Sequence, residues 1–311
     1  MNWRTSISQT INLVRVEIGK VLTSWSFFVL TLFTTGFFMG FLFSEYPQRF
    51  STDYGIIRVL IGSKTSDEII KFLSYYSMLQ LRELLSSQLV LRLFSMTYMG
   101  FNGGIFAILL VILQTCGNIA RDRAQGMLLL YFSKPILRSK LLMVRFASFV
   151  IPLFILVFAL HTIPLMLLAS YALIPNGILL ECLPGLFSLV FIGTLILTAF
   201  LLAIGSITYL FSSLTDNPSL ALLGSLLVTF VPTYIGAYTT DPGRSRMDLE
   251  ACLLSLYTHV MKFTPEKHTF RIMPITWYNF PQPGMAAIML LSAIILPLLL
   301  ACIIVEIREF K

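Results

Sequence analysis

GNIARDRAQGMLLLYFSKPILRSKLLMVRF, residues 117–146, is the one strongly basic stretch lying between two long apolar runs, and its reading decides how the chain is threaded. Arg121, Arg123, Lys134, Arg138, Lys140 and Arg145 stand there against a single acid, Asp122. In a membrane protein such a density of positive charge belongs on the cytoplasmic side, where it meets headgroups or a protein partner. Ile119 to Tyr131 reads as a short helix, Pro135 interrupts the path, and a second helical run begins near Ile136.

Working outward, the chain is apolar. Of 311 residues, 57% are hydrophobic and only 12% charged, whereas a soluble domain carries about 25% charged residues. This composition predicts an all-α, multi-pass membrane protein, a single transmembrane domain over 1–311. Six spans are expected at about 25–43, 95–116, 146–173, 186–211, 220–239 and 285–305. Ahead of the first, Ile7, Ile11, Val14, Ile18 and Val21 recur at helical spacing, which predicts an amphipathic helix over 7–22 lying along the membrane with Arg15 and Lys20 toward the headgroups.

Two outer segments, 44–95 and 240–284, are polar enough to leave the bilayer. The first should hold a long helix starting near Ser66. The second should hold an amphipathic helix with Leu249, Cys252, Leu253, Leu256, Val260 and Phe263 on one face. Together they suit a cap over the outer end of the bundle. Pro175 to Pro184 reads as a short outer turn, and Ser212 to Ser219, with its Asp-Asn-Pro, as a tight inner one.

Chemistry is sparse. The sequence has no H-E-x-x-H, no G-x-S-x-G and no metal-spaced cluster of His or Cys, and the GSKT at 62–65 lacks the glycines of a phosphate-binding loop. Its four cysteines form no C-x-x-C pair. The net charge of +7 carries no basic stripe interleaved with aromatics, so nucleic acid is not expected as a partner. His161 is the one titratable side chain near the middle of a span. It is a candidate intramembrane polar site, although a neutral imidazole bonded to the carbonyl freed by Pro164 is the simpler reading. The chain therefore reads as a non-enzyme without cofactor or metal of its own.

The basic stretch resembles the cytoplasmic loop between spans two and three in permease subunits of type-2 export ATP-binding-cassette transporters. The resemblance lies in Asp122, Arg123, Gly126, the apolar run Met127 to Leu130, Ser133, Pro135, Arg138 and Arg145. Asp122 stands where that family commonly has Glu, Met127 where Thr is common, and Val144-Arg145 replaces a frequent Gly-Lys.

The resemblance implies a coupling loop over 117–145, with Arg121, Asp122, Arg123, Gly126, Ser133, Pro135 and Arg138 transmitting the movement of a separate ATPase subunit, and it makes 7–22 a connecting elbow. It also implies ATP and Mg bound on that ATPase, a homo- or heterodimer of permeases, lipid neighbours, an extracytoplasmic protein as a further partner, and a plasma or inner membrane with cytoplasmic termini. Lys and Arg divide evenly between the expected inner and outer segments, and acids lie mostly in the outer ones. Two readings from other classes stay open: a six-span structural or assembly protein whose loop binds lipid or another membrane subunit, and a proton-coupled carrier using His161.

Overall fold

The computed structural model describes residues 3–25, 27–29, 31–32, 103–126, 138–171, 176–239, 249–260 and 281–307. Among them there are helices and no strands: α1 (Trp3–Thr23), α2 (Gly103–Ala124), α3 (Arg138–Tyr171), α4 (Asn176–Leu214), α5 (Pro218–Thr239), α6 (Leu249–Val260) and α7 (Pro283–Ile307). The stretches Arg138–Thr162, Val190–Leu214 and Pro283–Ile307 are each long and apolar enough to cross a membrane. Most of expected span 1, outer segment 44–95, the start of span 2, and residues 127–137 with Ser133 and Pro135 lie outside the described residues.

Local chemistry explains where the helices stop. α2 ends because Gly126 adopts φ 68° and its N–H returns to the Arg123 carbonyl at 3.0 Å, the left-handed closure that glycine makes without a Cβ penalty. The expected helix from Ile119 to Tyr131 is therefore not one helix: residues 119–124 are the last turns of α2, and the glycine ends it. Between α4 and α5 only Thr215, Asp216 and Asn217 are non-helical. Asn217 caps α5, its Oδ1 accepting the Ser219 N–H at 2.9 Å, and Pro218 fills the first helical position, where no N–H is needed.

α4 is the hub, packing against α2, α3, α5, α6 and α7. It begins at Asn176 and runs through the residues expected as an outer turn, so the described part of 175–184 is helix. Phe154 and Phe158 of α3 meet Phe191 and Phe187 of α4 edge-on at 6.0 and 5.8 Å, and the reversed order of the pairs makes the two helices antiparallel. α5 lies close to α4 at Gly224, where a Cβ would fall 2.7 Å from the Phe211 ring. α7 is the peripheral member: 22% of its apolar window is buried, against 61% for that of α4. Its outward side carries Ile288, Leu291, Ile295, Leu299 and Ile303, as a lipid-facing helix would.

Pro297 inside α7 has no N–H to give to the Ala293 carbonyl one turn back. Ser206 of α4 faces the gap, its Oγ sharing one hydrogen between the Ala293 carbonyl and the Ala203 carbonyl of its own helix, each at 2.8 Å. A proline in an apolar helix is tolerated when a neighbour re-satisfies the freed group in this way.

Candidate functional site

The ends of α2, α3, α4, α5 and α7 meet at one end of the bundle beside α1, and charged contacts join several of them. Arg145 of α3 is buried and pairs with Asp122 of α2 through its Nη2 and with Glu17 of α1 through Nε at 3.8 Å. Lys20 closes the cluster on Glu17 at 2.7 Å. Burying a guanidinium is costly unless carboxylates compensate it; here one arrives from each of two other helices. Glu306 at the end of α7 accepts the Ser139 N–H at 2.9 Å, satisfying one of the orphan donors at the start of α3.

α1 combines its expected amphipathic pattern with a docked side: it packs along α3 with Glu17 buried, while Ile11, on the stripe expected to face the membrane with Val14 and Ile18, is 61% exposed. At 100° per residue, Leu13, Glu17 and Val21 form the docked side, Ile11 and Leu22 a separate apolar one, and Asn12 and Thr23 a polar one. The docked side sets Glu17 near Arg145, with Leu13 and Val21 packed on the apolar core to either side.

The residues expected to couple to a partner separate into two kinds. Arg121 on the last turn of α2 is exposed. Arg123 is turned inward: Nη1 pairs with Asp216 at 2.7 Å and Nη2 donates to the Ser213 carbonyl at 3.2 Å, so its planar fork grips the α4–α5 turn. Asp122 faces Arg145, Gly126 terminates α2, and Arg138 is the first residue of α3. The structure thus brings Arg121, Asp122, Arg123 and Gly126 together on the end of one helix, and sets Arg145 against it.

His161 lies away from this cluster, sixteen residues beyond Arg145 on α3 and so roughly 24 Å along the helix. Its Nδ1 lies 2.8 Å from the Val157 carbonyl. The carbonyl that Pro164 frees is that of Leu160, so the expected partner is replaced by the one a turn before the histidine itself. Nε2 faces the Tyr257 hydroxyl at 3.5 Å, and that hydroxyl donates to the Gly193 carbonyl of α4 at 2.7 Å. Tyr257 belongs to α6, whose Cys252, Leu253 and Tyr257 are all buried. One face of this helix is packed into the bundle, while His259 stays exposed.

Sequence reasoning passed over Glu17, Ser206, Ser212, Asp216 and Tyr257. Among these only Asp216 carried a signal, as the acid of the Asp-Asn-Pro turn. No known protein-family model matches the chain, and no characterised protein aligns with it significantly.

Proposed function

We propose that the chain is the membrane-spanning permease subunit of a type-2 export ATP-binding-cassette transporter. A separate ATPase subunit, carrying ATP and Mg, would dock on the charged end of the bundle, and its closure would drive tilting of the spans for export or for transmission of movement to an outer partner. On this reading the chain is an integral protein of a plasma or inner membrane, with both termini cytoplasmic. It acts with a second permease copy and performs no chemistry itself.

One observation carries the reading: the end of α2 offers an exposed Arg121 on a helix terminus that Asp122 and Arg123 tie to α3 and to the α4–α5 turn. Such a terminus passes force on instead of fraying under it. Because Arg123 serves the internal grip, the charge to reverse is Arg121. Arg121→Glu should leave insertion and monodispersity intact and lower ATPase co-purification about tenfold, the loss of a charge-assisted contact of roughly 1.5 kcal/mol. Recovery of no ATPase with the unaltered chain, every bound protein being identified, would replace this reading with that of a structural or assembly protein.

A further inference from the structure

Ser212 lies two residues before the end of α4, fully buried, and its side chain is committed to the backbone of α2. Its Oγ donates to the Cys116 carbonyl at 2.8 Å and accepts the N–H groups of Ile119 at 3.2 Å and Ala120 at 3.1 Å. In an ordinary helix the Ala120 N–H goes to the Cys116 carbonyl. Here a hydroxyl from another helix bridges that same donor and acceptor, and a side chain let into the i→i−4 ladder is one of the few causes of a hinge in a helix. Just above, the Thr115 hydroxyl bonds back to the Val111 carbonyl at 2.6 Å, a second local perturbation of the ladder.

Below the inserted hydroxyl come Arg121, Asp122 and Arg123, and Arg123 returns to the carbonyls of Ser213 and Thr215 and to Asp216. The last turns of α2 are therefore joined to the rest of α2 through a shared ladder and to α4 through direct bonds on both sides. We propose that Ser212 is a positioning residue that makes the charged end of α2 and the adjoining end of α4 one body, hinged on the remainder of α2 at Cys116–Ala120. A push on Arg121 then reaches α4 first. From α4 it passes to α7 through Ser206 on the Ala293 carbonyl and to α6 through the Gly193 carbonyl on Tyr257. The source of the push rests on the proposed function; the hinge does not.

Hydrogen–deuterium exchange on the purified chain in detergent tests the hinge without any ATPase. In Ser212→Ala, amides 117–124 should exchange about tenfold faster, because Ile119 and Ala120 lose the hydroxyl that accepts their N–H groups and the turns around them lose that tie to α4, while α3 is unchanged. Ser212→Thr, which keeps the hydroxyl, should restore protection; Ser212→Cys, close in size and a weaker partner, should fall between. Unchanged exchange at 117–124 in Ser212→Ala overturns the proposal, as does faster exchange spread equally through α3.

The second arm uses the chain with its co-purified ATPase and follows maleimide labelling of a His259→Cys variant, position 259 being exposed on α6. The chain without the new cysteine gives the background. A nucleotide-dependent change in labelling should be lost in Ser212→Ala while ATP hydrolysis persists; an equal change with and without the hydroxyl overturns the route through α4. If no ATPase is recovered, the transporter reading fails and the exchange experiment alone decides the hinge.

Discussion

The two ends of the bundle are fastened by different chemistry. At the charged end, long ionised side chains join the helices, Glu17, Asp122 and Arg145 across α1, α2 and α3, Arg123 and Asp216 across α2 and the α4–α5 turn, Glu306 across α7 and α3, beside the neutral Ser212 hydroxyl on the backbone of α2. At the end holding α6, the described polar contacts between elements are all neutral: Tyr257 to the Gly193 carbonyl, Tyr257 to His161 and Ser255 to the Pro281 carbonyl at 2.6 Å. Ionised contacts hold helices in a particular arrangement yet exchange partners and respond to salt, whereas neutral ones inside an apolar cluster do neither.

The largest effect should come from Arg145→Met. It strips the shared counter-charge from Glu17 and Asp122 and should cost about 3 kcal/mol, since removing one member of a buried ion cluster leaves the others uncompensated. Thermal unfolding in detergent measures it. Neutralising both acids as well, in Glu17→Gln/Asp122→Asn/Arg145→Met, should recover most of the loss, and no recovery would mean that packing rather than charge holds α1.

Tyr257→Phe tests the neutral end. Removing the hydroxyl should cost about 1.5 kcal/mol, and the loss should be the same at low and high salt. A salt-dependent loss would break the contrast between the ends. Smallest of the three is Glu306→Gln: the carboxylate lies in an exposed setting, so the lost interaction with the start of α3 is screened and worth about 0.5 kcal/mol. A larger cost would show that α7 depends on this contact to stay docked.

What could be read in the sequence was what neighbours in the chain decide. Asn217-Pro218 announces a helix start, and the apolar runs announce helices long enough to cross a membrane, because each depends on local backbone geometry or on bulk hydropathy; Gly126 is just as local a signal, yet the helix expected over Ile119 to Tyr131 runs through it. What could not be read depends on partners distant in sequence. Glu17 looked like one more polar residue on an amphipathic helix until Arg145, 128 positions later, drew it inward. Ser212 looked like part of a turn. The Pro175 to Pro184 stretch gave turn signals, yet its described part, from Asn176 on, is helix: Pro and Gly propensities are weak priors that the rest of the fold can override. The proline rule itself was sound, but Pro164 was not where the described carbonyl was rescued; Pro297 was.

That rescue has a bearing on assembly. A helix that enters lipid with a carbonyl no N–H can reach bears a cost of roughly 2–7 kcal/mol until a donor arrives. Only one face of α7 carries the Ala293 oxygen, and the hydroxyl that meets it belongs to a helix synthesised earlier. The proline thus gives a mostly apolar helix a polar point partway along its length, in addition to Glu306 at its end, and that point favours one partner and one rotation in docking.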